Sequence, residues 1–285
     1  MPEMERCLVV GGGTMGAGIA ATALGAGFAV ELVEASAELA ETAAERVAEI
    51  LDDGVNRGKR TRQEADAAIA ALTVIASIAA AQAAPDVAIE AVPERVQLKR
   101  DVLAEMERLG PGLLASNTSS LSIDTLSKTL KQPERLIGLH FFNPVVAMAL
   151  VEVVVGPVST DRDVDAGVLL TRRLGKEPIV VRDSPGFASS RLGLALGLEA
   201  IRMVEEGVAE PDAIDTAMTL GYRHPVGPLR LTDIVGLDVR LAIAQHLSDT
   251  LGERFRPPEL LERMVSEGRL GRKTGRGFYD WESEP

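Results

Sequence analysis

The sequence predicts an α/β protein: a doubly wound, mostly parallel sheet with a helical-hairpin insertion, followed by a smaller all-α domain. Three observations lead there. Short β-prone runs alternate with helix-length segments from Cys7 to Val181; the first run breaks into a glycine-rich turn; and beyond Asp183-Ser184-Pro185-Gly186 no strand pattern remains. That polar, Pro-Gly stretch sets the expected domains at 1–182 and 183–285.

The first run, Cys7-Leu8-Val9-Val10, is too short for a helix and ends in three glycines, which suits a buried strand; a helix over residues 15–26 follows. Gly11, Gly13 and Gly16 fit G-x-G-x-x-G, the Rossmann-type fingerprint. The first glycine permits the turn, the second lets backbone approach a pyrophosphate, and the third lets helix and strand pack closely. Phosphates would sit on the helix N-terminus at Thr14 and Met15, where unpaired N–H groups and the helix dipole favour negative charge. A second strand, residues 30–33, ends in Glu34, about 20 residues past the turn, where a ribose-binding acid is needed. A carboxylate there repels a 2'-phosphate, so the cofactor is expected to be NAD rather than NADP.

Residues 37–53 read as one helix with Asp52-Asp53-Gly54 as its stop, and Thr61 with Glu64 caps a second helix to about residue 71. The hairpin tip carries Arg57, Lys59, Arg60 and Arg62, either a solvated turn or an anion-binding surface. Strand signals at 73–75, 87–90 and 113–116 continue the alternation, and Pro93 is well placed near the start of a helix reaching about residue 109. The polar cluster Ser116-Asn117-Thr118-Ser119-Ser120 falls at the carboxyl end of a strand, the edge on which open α/β sheets bind ligands; it serves also as a helix cap.

A strand at 136–142 carries His140, and the next, 150–155, places Glu152 inside a β-branched run. A carboxylate buried there needs a partner, and among three histidines His140 is the obvious one; such a pair near a nicotinamide points to acid–base work. Thr160 caps a helix to about residue 174, and 178–181 is the last strand. Helices follow at 187–206, 211–220, 229–250 and 259–267.

Composition narrows the function classes. With 285 residues and 46% apolar content the chain can bury a sizeable core. A net charge of -12 with no long basic run argues against nucleic acid. The one cysteine, Cys7, lies in the first strand and excludes an intrachain disulfide, which suits a reducing, cytoplasmic setting. The charged opening M-P-E-M-E-R carries no signal-peptide pattern, and no uncharged apolar run of about 18 residues predicts a membrane span. Three histidines and a core cysteine supply no zinc ligand set, so no metal is expected.

The segments G-G-G-T-M-G-A-G-I-A, E-A-V-P-E, S-N-T-S-S, G-L-H-F-F-N-P, L-V-E-V-V, S-P-G-F, H-P-V-G-P and G-R-K-T-G-R-G-F-Y fall in one order over essentially the whole chain. Together they resemble the L-3-hydroxyacyl-CoA dehydrogenase family, including its bacterial 3-hydroxybutyryl-CoA dehydrogenases. The resemblance implies an NAD-binding N-terminal domain, a helical C-terminal domain that dimerises, and interconversion of a short 3-hydroxyacyl-CoA and its 3-keto form. It matches His140 and Glu152 to the family's catalytic pair and Ser119 to a serine contacting substrate and cofactor. Glu34, Glu94, Lys99, Asn143 and Lys273 match positions that bind NAD, with Asn117 beside Ser119 in the same polar motif, and Arg57, near Lys59, lies close to a CoA-contacting lysine. Ser190 stands where the family has a catalytic-site asparagine, and Val146 and Ala149 stand where it often has a proline and a lysine. These departures keep a second substrate class in view, a small hydroxy acid or alcohol without CoA. A purely nucleotide-binding role has no need of the His140–Glu152 pair.

Overall fold

The computed structural model of the chain describes residues 5–282, so the opening stretch before Glu5 lies outside the described residues. The chain divides into two compact units, Met1–Ser184 and Pro185–Pro285.

The first unit runs β1 (Arg6–Val10), α1 (Thr14–Gly25), β2 (Ala29–Val33), α2 (Ala37–Asn56), α3 (Arg62–Ala70), β3 (Leu72–Ile75), β4 (Val87–Glu90), α4 (Val96–Arg108), β5 (Leu113–Ser116), α5 (Ile123–Ser127), β6 (Leu136–Phe141), β7 (Leu150–Val155), α6 (Asp161–Arg173) and β8 (Glu177–Arg182). The sheet order is β3-β2-β1-β4-β5-β6-β7-β8, and every neighbouring pair is parallel except β6 and β7. The central strands are apolar on both faces because helices cover both, the usual state of a parallel sheet. Helix α1 is apolar nearly all round and is buried through Ile19, Ala20, Ala21 and Leu24. Its close seat against the turn needs Gly16, since a Cβ there would stand 1.7 Å from the Gly11 carbonyl oxygen.

One local reading changes. Helix α2 does not stop at Asp52-Asp53-Gly54 but continues to Asn56. Its end is set four residues later by Gly58 at φ +66, with Gly58 N–H donating to the Val55 carbonyl and Lys59 N–H to that of Gly54. That is a Schellman closure, which needs a left-handed residue and so takes the later glycine. Pro93 lies near the start of α4 but outside it, in an extended loop ahead of Val96 that is held by the buried groups described below. The Thr61–Glu64 capping box forms as its spacing predicts.

The second unit packs α7 (Ser189–Glu205), α8 (Pro211–Gly221), α9 (Pro228–Val235), α10 (Leu237–Leu251) and α11 (Glu259–Ser266) around Leu194, Leu198, Leu229, Leu237 and Leu247. The single helix expected over 229–250 is two, broken at Gly236, whose φ of +103 no helix accommodates. Two buried carboxylates fasten the chain's last motif. Asp215 accepts from Leu229 N–H, Arg230 N–H and the Tyr279 hydroxyl, each at 2.8 Å, and so caps α9 from outside. Asp233 accepts from Phe278 N–H at 2.9 Å, Tyr279 N–H at 3.0 Å and the Trp281 indole N–H at 2.9 Å.

Candidate active site

Parallel pairing brings the carboxyl ends of β1, β2, β4, β5 and β6 to one edge of the first unit. At β1 the chain turns through Gly11, at φ +102, where a Cβ would meet the Ala91 carbonyl oxygen at 2.8 Å. At Gly13 a Cβ would meet nothing within 4 Å, so this stretch of backbone is open to a ligand; Thr14 is exposed and Met15 half-buried beside it. Glu34, ending β2, accepts from Gly12 N–H at 2.5 Å and Ala35 N–H at 3.1 Å, which holds its carboxylate against the glycine turn.

Beneath the β4 and β5 ends lies a buried charged group. The Lys99 ammonium, 1% exposed, donates to Glu90 at 2.7 Å and to the Val92 carbonyl at 3.1 Å, and pairs with Glu94 at 3.2 Å. Glu90, fully buried, also accepts from the Ser116 hydroxyl at 2.5 Å and Val92 N–H at 2.7 Å. Glu94 then accepts from the Thr118 hydroxyl at 2.6 Å, Ser119 N–H at 3.0 Å and both the N–H and hydroxyl of Ser120, at 2.9 and 3.0 Å. Burial pushes the Glu94 carboxyl up, but the Lys99 charge and the hydrogen bonds from Thr118 and Ser120 outweigh it and hold it at about 2. Lys99 is therefore a support under Glu94 with its ammonium turned inward. Sequence reasoning passed over Glu90, although an acid closing the apolar run Val87-Ala88-Ile89 is the same signal that marked Glu152.

The polar cluster splits by role. Asn117 accepts from Phe141 N–H at 3.0 Å and ties β5 to β6, whereas Ser119 is exposed at the loop's surface with its hydroxyl 3.4 Å from Glu94. Asn143 is exposed two residues beyond β6.

His140 and Glu152 are register partners across the one antiparallel pairing, so both side chains leave the same face of the sheet. His140 Nδ1 lies 2.6 Å from Glu152 Oε2, with the histidine 6% and the glutamate 0% exposed. A carboxylate only accepts, so Nδ1 carries a proton, and in the neutral ring Nε2 is then the basic nitrogen. The Phe142 ring, 4.5 Å from the imidazole and tilted by 51°, packs against it.

The hairpin tip is mostly self-neutralised. Arg57 pairs with Asp53 at 2.9 Å, and Arg62 with Asp52 at 2.5 Å and Asp66 at 3.1 Å, while Lys59 is exposed. In the second unit Ser190 is half-buried in the first turn of α7. Lys273 lies 2.6 Å from both Asp238 carboxylate oxygens, and its hydrogen bond holds the Asp238 carboxyl below its usual range.

The model of the 3-hydroxyacyl-CoA dehydrogenase NAD binding domain matches residues 6–184, and that of the family's C-terminal domain matches 186–281. The chain is 41% identical over 285 residues to the probable 3-hydroxybutyryl-CoA dehydrogenase of Bacillus subtilis, covering 99% of each. It is 40% identical to the 3-hydroxybutyryl-CoA dehydrogenase of Mycobacterium tuberculosis, over 98% of this chain and 99% of that one. The crystal structure of (S)-3-hydroxybutyryl-CoA dehydrogenase PaaH1 from Ralstonia eutropha is similar at a TM-score of 0.92 and 38% identity, covering 98% of this chain and 99% of that chain. Matched end to end through both of its units, the chain belongs to the 3-hydroxyacyl-CoA dehydrogenase family.

Proposed function

We propose that this protein oxidises a short 3-hydroxyacyl-CoA such as (S)-3-hydroxybutyryl-CoA to its 3-keto thioester with NAD, or runs the reverse, using His140 as the base. The observation that carries this reading is the buried His140–Glu152 pair at 2.6 Å, on the sheet edge that also bears the glycine turn and Glu34. The residues present fit NAD: open backbone at Gly13, a helix start behind it, and a carboxylate at the ribose position. When bound, NAD supplies the hydride acceptor. His140 Nε2 takes the proton of the C3 hydroxyl, and Glu152 fixes the tautomer and stabilises the imidazolium that forms, the more strongly because the pair is buried. The Ser119 hydroxyl hydrogen-bonds the reacting oxygen, and Glu94 orders the backbone that presents it.

Ser190 and Ala149 favour one second reading, a small hydroxy acid or alcohol without CoA. The two separate on a substrate panel. The proposal expects kcat/KM for 3-hydroxybutyryl-CoA at least about 10²-fold above that for free 3-hydroxybutyrate, since binding energy from remote parts of a substrate raises the rate at the reacting centre. Equal values would favour the second reading.

The working form we propose is a cytoplasmic homodimer paired through the second unit. Helices α7, α9 and α10 leave Leu192, Leu196, Leu231, Ile234, Val235 and Val239 exposed, Leu192 at 67%, an apolar surface of the kind that marks a protein interface. Cys7 is buried, its thiol pushed up to about 12 by desolvation, and as the sole cysteine has no partner for a disulfide within the chain. Among the described residues no helix is long and apolar enough to cross a membrane.

A further inference from the structure

In an acidic protein the charged side chains that line one cavity are all cations. It lies within the first unit, measures about 280 Å³, and is walled by Thr22, Gly25 and Ala26 at the end of α1, by Val146, by Arg60 from the hairpin, and by Arg173 at the end of α6 with the residues that follow it to Lys176. No acidic residue lines it. The volume is just under the range of pockets that engulf a whole drug-sized ligand, which suits a small anion or one end of a longer molecule.

The three cations differ in how they are held. Lys176 Nζ donates to the Val145 carbonyl at 2.5 Å and the Met148 carbonyl at 2.7 Å, and burial pulls its pKa below the usual lysine range. Arg173 stacks over the Phe28 ring at 4.2 Å. Arg60 fills a slot that two glycines create: a Cβ on Gly25 would stand 2.9 Å from one of its terminal nitrogens, and a Cβ on Gly54 2.9 Å from its Nε. Arg60 Nε is buried without a hydrogen-bond partner, and among the described residues neither guanidinium makes a hydrogen bond or an ion pair.

Basic side chains near helix C-termini can simply answer the helix dipole. Here α1 and α6 both end at the cavity, contributing about -0.5 charge each, and the Glu64 carboxylate also acts on Arg60, but three positive side chains still leave the lining net positive. Nor do Arg60 and Arg173 bond the helix-end carbonyls, as caps would. A fixed, partly desolvated guanidinium pair with unused donors matches the geometry of phosphate oxygens, which accept several charge-assisted hydrogen bonds at once.

We propose that this cavity is a phosphate site, in which Arg60, Arg173 and Lys176 hold a phosphomonoester or phosphoanhydride group. The group comes either from the nucleotide end of the CoA thioester, in which case the site rests on the acyl-CoA reading, or from a separate phosphorylated small molecule. The probe is inorganic pyrophosphate, titrated calorimetrically into the protein at low salt with NADH saturating, so that the glycine turn is already taken. The native chain should bind it, R60Q and R173Q should each weaken binding about tenfold or more, R60K should recover most of the loss, and added salt should weaken the native affinity. The two sources separate on KM for acetoacetyl-CoA beside acetoacetyl-N-acetylcysteamine, a thioester without phosphates. If CoA supplies the group, KM for the CoA thioester rises about tenfold in both variants and that for the truncated thioester stays. If a separate ligand supplies it, only pyrophosphate binding falls. Variants matching the native chain both in pyrophosphate binding and in KM for acetoacetyl-CoA would overturn the proposal. Turnover of the truncated thioester reports the dehydrogenase reading by itself, so the two can fail independently.

Discussion

Replacing Glu152 by glutamine keeps its shape and removes only its charge, which isolates what the carboxylate does for His140. Without that charge the imidazolium formed on proton transfer loses its partner, so E152Q should lower kcat by about 10²-fold or more, and H140Q by at least as much. NADH affinity, followed by its fluorescence, should barely move in either. A near-native kcat for H140Q would reject the base assignment. Glu94 makes a separate, pH-dependent prediction. Its carboxyl is held at about 2 against an ordinary 4.5, so its contribution to stability is complete above about 4.5 and fades as pH falls toward 2. Urea midpoints should therefore separate native protein from E94Q at neutral pH and converge near pH 2; a constant gap down to that pH would refute the assignment. At this scale the sequence made Glu152 legible because a carboxylate among β-branched residues demands a partner, and Glu90 was legible on the same ground. The inward turn of Lys99 was not, because whether an ammonium faces a ligand or a buried acid depends on side-chain direction, which spacing in a loop does not set.

Among the elements, the hairpin shows why helix ends were harder to read than helix existence. Asp52-Asp53-Gly54 has the composition of a stop, yet Gly54 stays helical, its missing Cβ leaving the space that Arg60 fills, and the chain turns at Gly58. Nothing lies within 4 Å of a Cβ at Gly58, so G58A tests backbone conformation alone and should cost about 1 kcal/mol, the penalty of a left-handed alanine. An unchanged urea midpoint would mean that the closure is not where α2 is held. The direction of β7 had a readable signal too. The connection over residues 142–149 is shorter than the dozen or so residues a parallel crossover needs, so the strand after it had to return antiparallel.

For the whole molecule, a dimer formed through α7, α9 and α10 should run at twice the 30.2 kDa chain mass in light scattering at micromolar concentration. Charging the surface with L192E and L196E should give a folded monomer; a native chain already monomeric would sink the proposal. The two-part organisation could be read because strand patterning stops and helical periodicity alone continues, whereas the exposure of those leucines could not, since one apolar helix face looks like another until its neighbours are placed. The antiparallel seam between β6 and β7 has a consequence for how the protein acquires activity. His140 and Glu152 meet only in one register, and a slip of one residue would send either side chain through to the opposite face. Activity regained on refolding therefore counts molecules whose seam has closed in step, and a compact, helical, NAD-binding chain with a shifted seam would be silent in the assay while passing every test of shape.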